Sequence, residues 1–348
     1  MSPLNSARLF VFGFDNEMIV GTKSSRIYRL KQPYNKVELL AIVPNSRAVH
    51  SVVFKDGYLY AADSCGIWRS RYSINTKPDF KKHIELPCAT GGHYTRTLAV
   101  GSDNKLYVSL GISGNCSDEY LDNSYLFQLR RGGIYRIDEN SKSEKPTLIP
   151  YASGLRNPIG LAFSPDGTLY ATNAGSDNMG YELPPEVLAK TSEHSFHGMP
   201  WFQYYGGKFQ SGMCAQSPPP RSANEATLPA ATFAARSTPI GIDFLTQDIA
   251  DNIKKGDALV AIHGSWGTPP GGGSSSRRPP KILIVKFKDN KVIDVKDLIT
   301  GFQRPDGSRF ARPVGVRQGQ DGNIYFTSDG GDLQGIFKIN INTPYKSK

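Results

Sequence analysis

Apolar and aromatic positions along this chain come in short runs of four to six residues, or alternate with polar ones, and each run ends in a polar turn. The same unit recurs. RLFVFGFDNEMIVGTKSSRIYRL starts at Arg8, HSVVFKDGYLYAADSCGIWRSR at His50, and RTLAVGSDNKLYVSLG at Arg96, rejoined by GIYRI from Gly133. PIGLAFSPDGTLYATNAG starts at Pro158, and PVGVRQGQDGNIYFTSDG with GIFKI starts at Pro313. A looser copy runs from PIGIDF at Pro239 through DALVAIHGSW to KILIVKF. Period-two alternation marks half-buried strands and short apolar runs mark buried ones. Asp-Gly and Asp-Asn supply the turn geometry that hairpins need.

A parallel α/β fold would require helices of about 10–15 residues between strands. Only the stretch around Pro184–Lys190 has helical character, and it is short. Six copies of a small sheet that cannot bury its faces alone predict an all-β fold. The expected architecture is a six-bladed β-propeller, with four-stranded antiparallel blades around a central channel. A β-sandwich or a solenoid is the competing arrangement. The pattern predicts one domain over residues 1–348, with insertions at about 178–228 and 267–280. The second, GTPPGGGSSSRRPP, reads as a surface loop.

In a propeller the first strand of each blade lines the channel, so residues just before it crowd together at one mouth. Those positions hold Arg8, His50, His93 with Arg96, Arg156 with Asn157, and Arg312. The fifth copy, with Ser237 and Thr238, lacks a basic residue there. Clustered guanidiniums repel one another, and a charge-assisted hydrogen bond to an anion contributes about 1.5–3 kcal/mol. The mouth therefore predicts a compact ligand bearing several carboxylates or phosphates. No glycine loop of the phosphate-binding kind follows a strand, which argues against a nucleotide.

Composition agrees with a long single all-β unit: 348 residues, 39% hydrophobic, with Gly 35 and Pro 24 spread along the chain. No apolar run approaches the roughly 20 residues of a membrane span. The net charge of +10 suggests an anionic partner, but the basic residues are scattered and no nucleic-acid motif is present. Met1–Arg8 is too short and polar for a signal peptide, so export would require a leader outside this sequence. The four cysteines, Cys65, Cys88, Cys116 and Cys214, have no zinc-like spacing. Cys88–Cys116 is the preferred pair, with four buried free thiols as the alternative.

GGHYTRTLAVGSDNKLYVSLG, GLRNPIGLAFSPDGTLYATN, AIHGSW and ARPVGV with GNIYFTSDG, in this order, resemble the soluble quinoprotein sugar dehydrogenases. The nearest group is the sorbosone and aldose dehydrogenases that use pyrroloquinoline quinone (PQQ). The resemblance runs from about Arg8 to Ile339. It implies PQQ and Ca²⁺ as cofactors, a sugar substrate, a separate electron acceptor, and a periplasmic or secreted location.

By resemblance, His93 is the general base, suited by a pKa near neutrality, and Arg156 with Asn157 contacts the quinone oxygens and carboxylates. Arg312 is a cofactor-carboxylate ligand, with Arg309 as its companion. The carbonyls of Gly175 and Ser176 hold calcium, a cation that prefers oxygen, with Asp177 and Asp118 as acidic neighbours. His263, in HGSW, either reaches the mouth or belongs to a motif explained by Trp266 packing. His50 and Arg96 join the cofactor set by repeat position.

His194 and His197 read as loop residues without a metal role. SFHGMPWF resembles the family's Gly-Trp-Pro segment with its tryptophan displaced. Relatives carry a further strand before the position of Arg8, which leaves open how the first blade closes. The lysine that some glucose-oxidising relatives place on the cofactor has no match, so glucose is not implied. Two other function classes stay open: a calcium-dependent propeller lactonase, which needs inward-facing carboxylates, and a non-catalytic binding propeller.

Overall fold

The third residue of the inner strand in three copies is glycine, as PIG or PVG, and packing of the tunnel explains why. The structure, a computed structural model, describes residues 2–88, 91–139, 145–212 and 214–341. The remaining residues of the expected 1–348 unit, Met1 and the stretch 342–348 among them, lie outside the described residues. The chain folds as a six-bladed β-propeller, and each blade is an antiparallel sheet ordered outward from the axis.

The inner strands are Ala7–Phe12, Ser51–Lys55, Leu98–Val100, Pro158–Phe163, Pro239–Phe244 and Pro313–Gln318. Each touches the next, and the last touches the first, so the ring is closed. Ile159, Ile240 and Val314, the residues after the inner-strand prolines, are buried with Leu9 in one apolar cluster that plugs the tunnel. Packing strands this closely leaves no room for a side chain at the next position. A Cβ on Gly160 would sit 2.0 Å from the Ile240 carbonyl oxygen, and one on Gly241 would sit 2.3 Å from that of Val314.

The strands bulge between Pro158 and Gly160 and between Pro313 and Val316. Buried N–H groups there need other partners, and second-strand threonines supply them. Thr172 Oγ1 accepts from Gly160 N–H at 2.8 Å and donates to the Ile240 carbonyl of the next blade at 2.7 Å. Thr327 Oγ1 accepts from Gly315 N–H at 2.8 Å and donates to the Arg8 carbonyl at 2.6 Å. Blades are thus stitched together just below the mouth.

Closure answers the question left by the start of the chain. Ser2–Pro3 pairs with Gly335–Ile339 and forms the outermost strand of the last blade, so the first blade keeps four strands of its own. The stretch expected to be helical is extended. Glu186–Thr191 is the third strand of the fourth blade, paired along Leu169–Asn173, and Ala231–Phe233 is the fourth. Ladder hydrogen bonds and burial of Leu188 outweigh a weak local helix preference. The excursion between these strands adds Ser195–Phe196 in parallel to the third blade and a hairpin of Phe202–Tyr205 with Lys208–Ser211.

Both disulfides differ from the expected pair. Cys65 joins Cys88 and Cys116 joins Cys214. The Leu86 N–H donates to the Cys65 carbonyl at 2.9 Å, which carries Cys88 to the turn of the second blade rather than toward Cys116. The second bridge ties the loop between Leu110 and Gly133 of the third blade, whose Asn115 accepts from Arg156, to the long excursion.

Gly241→Ala is expected to lower stability by about 1–3 kcal/mol, the range for an overpacked site. Denaturant unfolding followed by tryptophan fluorescence measures the loss, and an unchanged midpoint would contradict the packing described here.

Candidate functional site

Antiparallel pairing puts the start of each inner strand and the end of the second strand at the same face of the ring. Second strands end at Thr22, Leu110, Asn173, Ile262 and Ser328, among others. The residues just past four of these ends, Lys23, Ala174, His263 and Asp329, line one mouth cavity of about 340 Å³ with Arg8, His50, His93, Arg156, Asn157 and Arg236. The volume falls in the lower part of the range for small-molecule sites. Its floor is the tunnel plug, through Ile159 and Ile240.

The mouth thus gathers Arg8, His50, His93, Arg156, Asn157, Gly175 and His263 from the sequence-expected set. It adds Lys23, Glu186, Arg236 and Asp329, which were not singled out. Inner-strand entry positions were an incomplete signal, because second-strand exits reach the same place. The fifth blade is not the exception it looked. Arg236, directly before Ser237, supplies its cation.

The cations are not left to repel. Asp329, 1% exposed in its side chain, takes Arg8 Nη1 at 2.7 Å and Lys23 Nζ at 2.8 Å on one oxygen, and His263 Nε2 at 2.7 Å on the other. Its hydrogen bond from His263 and the charges of Arg8 and Lys23 overcome burial and hold the carboxyl well below the usual range. Asp177 bridges Arg156 at 2.9 Å and Arg236 at 2.6 Å. Glu186 accepts the Gly175 N–H at 2.6 Å, and burial pushes its pKa up to about 7. Four cations face three carboxyls, one of them part-protonated at neutrality, so the residual charge is positive but modest.

His93 is half-buried, and its Nδ1 lies 2.8 Å from the Ile112 carbonyl. A carbonyl only accepts, so Nδ1 carries the proton and Nε2 keeps its lone pair. Burial, then the Arg156 charge, lowers its pKa to about 4. Gly111 makes room here, since a Cβ would meet His93 Cβ at 2.6 Å and Asn157 Oδ1 at 2.8 Å. Neither ring nitrogen of His50 has a partner among the described residues, nor do Asn157 Oδ1 and His263 Nδ1. His50 is 1% exposed, and burial keeps it neutral by lowering its pKa well below the ordinary value. Buried polar atoms without partners cost free energy unless a ligand or water meets them.

Other expected residues lie behind this lining. Arg96, fully buried, donates to the carbonyls of His93 at 3.1 Å, Thr95 at 3.2 Å and Pro87 at 3.1 Å. Arg312 donates to the carbonyls of His263 at 3.0 Å and Gly264 at 3.1 Å, and its guanidinium lies 4.0 Å from the Trp266 ring centroid. Arg309 donates to Gln303 at 2.9 Å and to the carbonyls of Ser265 at 2.8 Å and Arg278 at 3.2 Å. Ser176 is buried, and its carbonyl accepts from Arg236. Asp118 accepts backbone N–H groups of Gln216 and Ser217 in the excursion, away from the mouth. His197 is buried against Ser195 Oγ at 3.0 Å. His263 reaches the mouth, whereas Trp266 is 70% exposed at its rim, so core packing of the tryptophan does not explain the HGSW motif.

The chain belongs to the TrAA12-like family, whose model matches residues 1–197. It is similar to a calcium structure of a Trichoderma reesei carbohydrate-active enzyme of family AA12, at 19% identity and TM-score 0.78, covering 97% of this chain and 93% of that one. The holo PQQ domain of a Coprinopsis cinerea pyranose dehydrogenase shares the fold at 16% identity and TM-score 0.71, covering 97% and 93%. A PQQ-bound aldose sugar dehydrogenase from Streptomyces coelicolor shares it at 17% identity and TM-score 0.68, covering 97% and 95%. An uncharacterized protein of Borreliella burgdorferi is 27% identical over 245 residues, 69% of this chain and 59% of that protein. The chain thus matches just under three-fifths of that curated relative.

Asp329→Ala leaves three cationic or basic partners without their buried carboxylate, and a loss of about 3–5 kcal/mol is expected at pH 7. A carboxyl depressed in the folded state stabilises above its unfolded pKa of roughly 4, and that stability is lost as pH falls below it. Unfolding curves at pH 7 and pH 3 measure both; an equal difference at the two pH values would contradict this network.

Proposed function

We propose that this protein is a quinoprotein that oxidises a sugar at the propeller mouth, with PQQ as the acceptor. The observation that carries the reading is His93, fixed with a lone pair on Nε2 beside Arg156 and Asn157 in a cation-lined cavity. Support for PQQ comes from the unpartnered atoms of His50, Asn157 and His263, and from the residual positive charge around them. The two PQQ-containing structures of this fold add to it. Arg8, Lys23 and Arg156 would hold the carboxylates, and Asn157 and His50 the remaining polar edge.

When bound, the quinone supplies a two-electron acceptor. His93 takes the proton of the hydroxyl on the carbon being oxidised, as a general base whose lone pair is free at neutral pH. Arg156 stabilises negative charge that develops beside it. Trp266 and Tyr94, exposed at the rim of the cavity, offer flat apolar faces on which a sugar ring can lie. Arg312, Arg309 and Arg96 act as positioning residues in this reading, setting Trp266, the 265–278 loop and the His93 backbone.

The lactonase reading loses ground at the same residues. The mouth does present Asp177, Glu186 and Asp329, yet each is engaged by a guanidinium, an ammonium, an imidazole or a backbone N–H. Two disulfides favour an oxidising compartment, so we place the protein in the periplasm or outside the cell. Among the described residues no helix is long and apolar enough to cross a membrane.

Spectroscopic titration with PQQ, followed by dye reduction with a panel of aldoses, tests the proposal. Binding and sugar-dependent reduction are expected, and the absence of both would end it. His93→Ala should lower the rate by roughly 10²–10⁴ while quinone binding persists. Since the base is neutral above its pKa of about 4, kcat/KM should stay level from neutrality downward and fall only as pH drops through about 4. An acid limb near pH 6.5 instead would remove His93 from the role.

A further inference from the structure

The loop that follows the second strand of the fourth blade turns a set of hard oxygens toward one point. They are the carbonyls of Ser176, Gly180 and Leu183 and the carboxylate oxygen Oδ1 of Asp177. Carbonyl and carboxylate oxygens on one loop are the donor set that calcium prefers. In this chain the point is taken by the guanidinium of Arg236. Nη1 donates to Ser176 and Asp177, Nη2 to Gly180 and Leu183 at 3.1 Å, and Nε to Gly180 at 3.1 Å.

A guanidinium has five N–H donors and cannot be deprotonated in a protein. All five are met by oxygens of this one loop. The side chain is 13% exposed and faces the mouth cavity, where its charge borders Gly175, Glu186 and Asp177. Its backbone has φ 64°, a left-handed conformation that a non-glycine residue keeps only where its surroundings impose it. A calcium ion bound through Gly175 and Ser176 does not fit beside it. Ser176 has given its carbonyl to Arg236, whose fixed charge lines the same cavity wall as Gly175. A metal there would have to strip the guanidinium of its acceptors and stand against its charge. Among the described residues no group of three or more His, Cys, Asp or Glu side chains is placed to hold a metal elsewhere.

We propose that Arg236 is the resident cation of this site: its guanidinium holds the 176–183 oxygen cage in place of a divalent metal, so the mouth is organised without calcium. Its consequence for the quinone rests on the function proposed above. That link makes the binding of PQQ independent of calcium, with Arg236 supplying a fixed positive charge at the wall of the cavity.

The decisive measurement needs no quinone. Chelator-washed protein is titrated with CaCl₂ by calorimetry, and its melting is compared in CaCl₂ and in EDTA. Wild type should give no binding heat and one melting midpoint in both. Arg236→Ala should melt lower in EDTA and regain stability in CaCl₂ as the vacated cage takes the metal. Calcium binding that raises the wild-type midpoint would overturn the proposal, as would an alanine variant that melts like wild type and ignores calcium.

If the alanine variant fails to fold, Arg236→Lys decides. A lowered, calcium-insensitive midpoint supports the cage, because an ammonium has three donors for the cage's four oxygens, and a wild-type midpoint overturns it. In a separate arm, wild-type affinity for PQQ should agree within about threefold between CaCl₂ and EDTA, less than one lost interaction would cause. A larger dependence on calcium overturns the proposal. No quinone binding in either buffer defeats the quinoprotein reading alone and leaves the metal arm to decide the role of Arg236.

Discussion

Asp329 is the junction on which the mouth depends. One buried carboxylate at the end of the last blade gathers Arg8 and Lys23 from the first blade and His263 from the fifth. Without it, the first and fifth blades would bring basic groups into a low-dielectric space with nothing between them, where repulsion is poorly screened. With it, the same groups become a rigid wall. The Arg156–Asp177–Arg236 chain does the corresponding work on the other side of the cavity. The site is therefore a set of compensated charges that retains a small positive excess, rather than a bare cluster of arginines waiting for an anion.

Much of the scaffold was legible because each blade repeats its own local logic. Asp-Gly turns, alternation and the recurring Pro-Ile-Gly start announce inner strands, and the tunnel plug and Gly–Thr stitching explain why those residues recur. Other features were hidden for identifiable reasons. Glu186–Thr191 carries residues with mild helix preference, and only pairing with Leu169–Asn173 makes it a strand. Asp329 sits in a Ser-Asp-Gly-Gly stretch that reads as an ordinary turn, and its partners are 66 or more residues away. Disulfide partners followed from which loops meet at a turn, which spacing does not reveal.

Part of the expected site was placed by repeat position, and that reasoning works for backbone location better than for side-chain direction. Arg96, Arg309 and Arg312 all start near the mouth, but each guanidinium turns toward backbone carbonyls. A fork of five donors is well suited to gathering loop carbonyls that no regular structure satisfies. In this fold arginine serves two purposes: some face the cavity, and others hold still the residues that do. Sequence alone assigns both kinds to the same column.

The outer strand of the last blade is Ser2–Pro3, paired with Gly335–Ile339. Ser2–Pro3 must therefore wait for a segment more than 330 residues further along before the ring can latch. Every earlier stage of synthesis leaves the final sheet with an open edge, and such edges invite pairing with other chains. Contacts of this sequence separation also slow folding. Until the latch forms, Arg8 and Asp329 are on unjoined ends, so the mouth and the closed ring come into being in the same event.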